Sequence, residues 1–218
     1  GLAGPENEMA ATRVRKVLNV GGNSKDIPIP NIYDGWQHDL LDIDPRGKPD
    51  VCCDARLLTQ PPGDQYDAIY CSHNLEHYYR HDVVKVLAGF RHVLKDGGFA
   101  QIAVPDMAEL MKRVVEGSLD IEDKLYDSAM GPIHVVDVIY GHSGEIESSG
   151  NEFYAHKTGF TQKSLMARLS ASGFSSVISE KGDLEIFAIG FKNEPSQHAS
   201  ELFNLRLKAD LESDSIAI

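Results

Sequence analysis

The sequence predicts an α/β fold, a doubly wound and mostly parallel sheet of seven strands that ends in an antiparallel hairpin strand. Three observations lead there. From residue 16 to residue 105 short apolar runs alternate with acidic or glycine-rich breaks, the rhythm of strands joined by crossovers. Residues 81–94 then switch to helical spacing. Late in the chain two apolar runs flank Lys181-Gly182-Asp183, a turn whose Gly and Asp tolerate positive φ.

Taken in order, Lys16-Val17-Leu18-Asn19-Val20 is the first strand and runs into Gly21-Gly22-Asn23. Pro28 and Pro30 follow, and because proline inside a helix costs about 3 kcal/mol the first crossover is short or irregular. A second apolar run ends at Asp42-Ile43-Asp44-Pro45, and a third, Val51-Cys52-Cys53, at Asp54-Ala55-Arg56. The fourth, residues 66–71, breaks into Ser72-His73-Asn74-Leu75-Glu76-His77. Val83, Val86, Leu87, Phe90, Val93 and Leu94 recur at helical period, with Asp82 as N-cap and Gly97-Gly98 as the stop.

Residues 99–104 make a fifth strand. Pro105-Asp106 with Glu109 gives a capping-box-like start to a helix through Val115, closed by Gly117. Residues 118–160 lack a clear period but concentrate Tyr126, His134, Tyr140, His142, Tyr154 and His156, which suggests an inserted lid or substrate region. Thr161 caps a helix to about residue 172, with Leu165 and Leu169 inward and Gly173 at its end. Residues 197–211 place Leu202, Phe203, Leu207 and Leu211 on one helical face, to dock on the domain or on a second copy in a homodimer. The expected organisation is a flexible leader over residues 1–15 with a short helix near 10–15, one domain over 16–194 containing the insert, and a C-terminal helix and tail over 195–218.

Composition narrows the function. The 218 residues suffice for one α/β domain with a generous core, not for two. A net charge of -12 and a pI near 5.1 argue against tracking a nucleic-acid backbone or an anionic membrane, which need clustered Lys and Arg. No apolar run approaches the ~20 residues of a membrane span, and residues 1–12 lack the basic-then-apolar order of a signal peptide, so a cytoplasmic protein is expected. Cys52, Cys53 and Cys71 have neither metal-type spacing nor an even count, and fall on strands expected to be buried.

Acids at the tips of neighbouring parallel strands face one crevice, where open α/β sheets bind ligands. With the segments Asp42-Ile43-Asp44-Pro45, Asp54-Ala55-Arg56, Ser72-His73-Asn74-Leu75-Glu76-His77, Leu94-Lys95-Asp96-Gly97-Gly98 and Val104-Pro105-Asp106, the chain resembles the class I S-adenosylmethionine-dependent methyltransferases over about residues 16–192. The resemblance is to the predicted methyltransferases of the type 11-like group, with a Rossmann-like sheet.

That resemblance implies S-adenosylmethionine as cofactor, a small-molecule acceptor and a defined set of contacts. Gly21, Gly22 and Asn23 match the loop that lets backbone approach the cofactor, although Val20-Gly21-Gly22-Asn23-Ser24 departs from the usual Gly-x-Gly-x-Gly. Asp42 matches the acid that accepts from both ribose hydroxyls; alternatively Asp42 or Asp44 shapes the turn before Pro45. Asp54 matches the acceptor for the adenine amine, with the Ala55 N–H reaching a ring nitrogen; alternatively Asp54 is an N-cap. Ser72 and His73 lie beneath the sulfonium, with His73 the first candidate for base or acceptor contact and His77 the second. A histidine that ties down a helix start is the plain alternative for both. Trp36 either flanks the crevice or belongs to the core.

Two rivals come from other classes. His73-x-x-Glu76-His77 spells the motif of inverted zinc peptidases, with Glu145 or Glu147 as a distant third ligand. That motif belongs within a helix of a fold without strand-tip acids, so no metal is expected. The altered glycine loop also suits a non-catalytic scaffold that has lost its pocket.

Overall fold

A computed structural model describes residues 13–205. The helix expected near residues 10–15 falls mostly outside the described residues, as do Leu207 and Leu211. The strands are β1 (Lys16–Val20), β2 (Gln37–Asp42), β3 (Val51–Cys52), β4 (Tyr66–Ser72), β5 (Leu94–Pro105), β6 (Lys124–Ser128), β7 (Gly131–His134), β8 (Ser176–Lys181) and β9 (Glu185–Phe191). Seven of them form one sheet in the order β3-β2-β1-β4-β5-β9-β8, while β6 and β7 pair separately. β1 to β5 run parallel, and β9 runs antiparallel to both β5 and β8.

The strand order turns back between β1 and β4, so the loops leaving their C-terminal ends open a crevice at that point. Near-continuous apolar runs suit strands covered on both faces. One face carries the larger core, where Leu18, Ile69 and Ile102 meet Val86, Leu87 and Phe90 of helix α1 (Arg80–Val93). The other face is covered more thinly by Tyr33, Phe99, Phe191 and Ala199. As the two prolines require, the first crossover contains only a 3-10 turn, Asn31–Tyr33. Trp36 packs beside Tyr33 and His198 on this second face, away from the crevice.

Several boundaries differ from the sequence reading for local reasons. Tyr79, not Asp82, precedes α1, and Asp82 lies in the first turn, where an acid is favoured by the same helix-terminal field that favours a capping acid. Gly97-Gly98 does not stop the helix: β5 begins at Leu94, and the register jump from Tyr66↔Leu94 to Ala68↔Phe99 accommodates Lys95 to Gly98 as a bulge, with Gly97 at φ +77°. Cys71 is buried as expected, but Cys52 at the end of the two-residue β3 is exposed. In the β8–β9 turn the positive φ falls on Leu184 rather than on Gly182 or Asp183; its side chain is buried in a small core with Leu110, Ile133, Val135 and Val138.

Helix α2 (Met107–Glu116) starts at Asp106, whose side chain accepts from the Ala108 and Glu109 amides, and α5 (Gln162–Ala171) starts at Thr161 in a reciprocal box with Ser164. The segment without sequence period is ordered. It folds as the β6–β7 hairpin, α3 (Val135–Tyr140) and α4 (Ser143–Ser149). The last helix among the described residues, α6 (Gln197–Leu202), docks on its own domain through Ala199 with Phe203 against Phe99 and Phe191.

Candidate active site

Four strand ends build the crevice. After β1, Gly21 adopts φ +72° and its N–H donates to the Leu41 carbonyl at 2.8 Å, which turns the loop across the end of β2. A Cβ on Gly21 would stand 2.1 Å from Asn74 Nδ2, and one on Gly22 2.3 Å from Asn19 Nδ2. The pair of glycines is therefore demanded by neighbouring asparagine side chains as well as by backbone shape.

Asp42 is buried at the end of β2 and uses both oxygens on backbone: Oδ2 accepts from the Asn23 N–H at 3.0 Å and Oδ1 from the Asp44 N–H at 2.9 Å. Each oxygen keeps a further lone pair for an incoming hydroxyl. Asp44 and Asp54 repeat one device. Each caps a 3-10 turn by accepting from the amide two residues on, and each is gripped by the guanidinium of that residue, Arg46 or Arg56. Arg56 reaches onward to Asp82 at 3.2 Å. The capping alternative for Asp54 is thus realised, while its carboxylate still borders the crevice.

A cavity of about 200 Å³ lies here, lined by Gly21, Asn23, Asp42, Asp54, Ala55, His73 and His77 among others. Gly22 and Ser72 do not line it. The sequence reading missed Asn74, Tyr78 and Tyr79 from the loop after β4, and Phe153 and Lys157 from the insert, with the Lys157 ammonium 5.2 Å from the centre of the Tyr79 ring. Their only local signal was a polar, aromatic-rich loop.

A second cavity, about 690 Å³, adjoins the first and shares Asn23, His73, His77 and Tyr154 with it. The insert supplies much of its wall, including Tyr126, His142 and His156. His73 stands between the two in a left-handed conformation, φ +50°, with its N–H donating to the Ala103 carbonyl. For a non-glycine residue that conformation costs of order 1–3 kcal/mol, the kind of strain that collects at functional positions.

His73 Nε2 donates to Glu185 at the start of β9, and its Nδ1 lies 3.7 Å from the Glu76 carboxylate, an ion-pair distance rather than a hydrogen bond. Burial opposes the charge, but the hydrogen bond to Glu185 and the proximity of Glu76 outweigh it and raise the pKa to about 10. At neutral pH His73 is therefore a charged donor and not a proton acceptor. The residue that holds it, Glu185, is remote in sequence and carried no motif.

Glu76 is 1% exposed, and neither carboxylate oxygen has a hydrogen-bond partner. His77 Nε2 and His156 Nε2 both lie 4.0 Å from its Oε1. The peptidase motif is not reproduced: Leu75–His77 is a 3-10 turn rather than part of a helix, and the group that converges is Glu76, His77 and His156, not His73 with Glu145 or Glu147.

Residues 39–102, from β2 into β5, match the family model described as a methyltransferase domain. The chain has the fold of class I methyltransferase domains. Such domains draw their methyl group from S-adenosylmethionine. Solved structures agree in fold. A SAM-dependent methyltransferase from Archaeoglobus fulgidus superposes with a TM-score of 0.52 at 15% identity, over 81% of this chain and 86% of that one. A protein from Pyrococcus horikoshii OT3 gives 0.53 at 14% identity over 82% of both chains. An O-methyltransferase family protein from Burkholderia thailandensis gives 0.50 at 12% identity, over 83% of this chain and 52% of that one. No curated protein matches the sequence. Among the described residues, no helix is long and apolar enough to cross a membrane.

Proposed function

We propose that this protein transfers the methyl group of S-adenosylmethionine to a small-molecule acceptor, with residues 16–194 as the catalytic domain and the 118–160 insert as its acceptor-binding part. The observation that carries this reading is the pair of adjoining cavities that share His73 and His77, the smaller bordered by both strand-end carboxylates. In this reading the smaller holds the adenosine portion. Asp42 receives the ribose hydroxyls, Asp54 and Ala55 border the adenine, and Gly21 and Asn23 line the aminoacyl end. Gly22 and Ser72 act behind that lining, as supports of the loops that carry it.

The larger cavity receives the acceptor. Methyl transfer is an in-line displacement on an activated carbon, so alignment of nucleophile, carbon and sulfur supplies most of the acceleration. His73 contributes a charged hydrogen-bond donor to an electron-rich acceptor atom, and His77 presents its imidazole on the same wall. A volume near 690 Å³ fits a metabolite rather than a polymer groove, and the charge of -12 disfavours nucleic acid. Absence of disulfides among Cys52, Cys53 and Cys71 suits a cytoplasmic enzyme.

A structure with S-adenosylhomocysteine bound tests the arrangement. The expected result puts the ribose at Asp42 and the sulfur facing His73, with the larger cavity open beyond it. Density for the product elsewhere, or a sulfur facing away from the insert, overturns the reading.

A further inference from the structure

We propose that Glu76, His77 and His156 bind a divalent transition-metal ion, zinc above all, whose open coordination position faces the acceptor cavity. The three residues offer ligand atoms that all lie within 4.8 Å of one another, and they are the group of this kind found among the described residues. Two independent observations point to a cation rather than to ordinary packing.

The first is the orientation of the imidazoles. His77 Nδ1 lies 3.2 Å from the Ala155 carbonyl and His156 Nδ1 2.9 Å from the Val138 carbonyl. A carbonyl can only accept, so both Nδ1 atoms carry a proton, which leaves Nε2 as the coordinating nitrogen of each neutral ring. Both Nε2 atoms face Glu76 Oε1 at 4.0 Å, too far for a hydrogen bond and the right order of spacing for donors around one cation. Backbone carbonyls on the outer nitrogens are the usual way a protein fixes the tautomer and basicity of metal-bound histidines.

The second observation is Glu76 itself. Its carboxylate is buried and both oxygens lack hydrogen-bond partners. A buried carboxylate with no hydrogen bond is costly even beside a charged His73, and coordination to a metal is one of the few ways to relieve that cost. His73, at 3.7 Å, flanks the same oxygen from the other side but makes no hydrogen bond to it. The insert completes the site, since the Lys157 amide donates to the Glu76 carbonyl at 2.7 Å and so ties the segment bearing His156 to the segment bearing Glu76 and His77.

Two histidines and one carboxylate with a free fourth position are the donor set of catalytic zinc. Metal–ligand bonds near 2.0–2.1 Å separate tetrahedral donors by about 3.3 Å, so the two 4.0 Å spacings from Glu76 need to close by less than an ångström and the two imidazoles start within 4.8 Å of each other. Resting on the reading of the larger cavity as the acceptor pocket, the fourth position selects an acceptor with a hydroxyl or thiol that can coordinate. Coordination lowers the pKa of that group and its proton leaves to solvent. The coordinated oxygen or sulfur then forms the new bond to the methyl carbon as the carbon–sulfur bond of S-adenosylmethionine breaks, its electron pair remaining on the sulfur of S-adenosylhomocysteine.

The test uses the full chain, stripped with chelator and dialysed against zinc, with bound metal measured by elemental analysis and the site reported by visible absorption after cobalt substitution. The expected result is one ion per chain with a tetrahedral cobalt spectrum, at least tenfold weaker binding in His156→Ala and in Glu76→Gln, and no change in His92→Ala. Glu76→Gln keeps the shape of a protonated glutamate, so its folding, checked by circular dichroism, separates loss of a ligand from loss of structure. Substoichiometric zinc, or zinc held equally by wild type, His156→Ala and Glu76→Gln, overturns the proposal. Calorimetry with S-adenosylhomocysteine on the stripped protein keeps the two readings apart. Cofactor binding without zinc binding sinks only the metal site, and zinc binding without cofactor binding sinks only the transferase reading.

Discussion

The Asp42 carboxylate accepts the Asn23 amide at 3.0 Å, so the acid at the end of β2 fastens the loop that leaves β1. One side chain thereby does two things, shaping the rim of the crevice and presenting its remaining lone pairs to a ligand. Asp42→Ala is expected to weaken S-adenosylhomocysteine binding by about 1.5–3 kcal/mol, the range for hydrogen bonds to charged groups. Asp42→Asn, which keeps one carbonyl acceptor, should lose less. Isothermal titration of both variants checks the order.

Gly21 has a stricter requirement than Gly22, because it combines φ +72° with an asparagine 2.1 Å from where a Cβ would be. Gly21→Ala should destabilise the fold by about 1–3 kcal/mol and abolish cofactor binding. Urea unfolding reads the first effect. A variant as stable as wild type would mean that the loop rearranges freely, contrary to the packing described.

Asp137 anchors the insert. It accepts from the His134 amide at 2.8 Å and the Ser143 amide at 3.0 Å, bracketing α3. Burial raises its pKa, but these hydrogen bonds prevail and bring it to about 2. A carboxyl whose folded pKa lies below the unfolded value contributes stability above that unfolded value. The contribution is therefore complete above about pH 4 and lost as pH falls towards 2. Asp137→Ala should cost about 1–2 kcal/mol, as loss of a helix cap does, and should flatten the acid limb of the stability curve between those pH values. Denaturation across that range is the check.

His73 owes its charge to Glu185 across the sheet. In chelator-treated protein its imidazole should titrate near pH 10, and in Glu185→Gln markedly lower, followed by NMR of the ring carbons. His73→Ala should reduce turnover far more than affinity for S-adenosylhomocysteine. Equal losses in both would make His73 a support for the cofactor loop instead.

What the sequence disclosed was local. The period of Val83, Val86, Leu87, Phe90 and Val93 defines α1, and Thr161 with Ser164 defines the start of α5, because caps and amphipathic faces are written within a few neighbouring residues. Asp42 and Asp54 stood out because strand ends are local too. Glu185 and Asn74 did not, and His156 was visible only as one of a cluster, since their places depend on β9, the insert and the loop after β4 being brought together by tertiary contacts. The left-handed turn at His73 was equally hidden, for nothing in Ser72-His73-Asn74 asks for positive φ. The insert lacked a readable period because its helices are short, six residues in α3 and seven in α4, and its hairpin is largely exposed.

The most direct measurement is calorimetric titration of the full chain with S-adenosylhomocysteine. Saturable heat at one ligand per chain, lost or strongly weakened in Asp42→Ala, is what two strand-end carboxylates around one adenosine cavity predict. Absence of saturable binding to the folded wild-type protein would contradict the assignment of that cavity to the methyl donor.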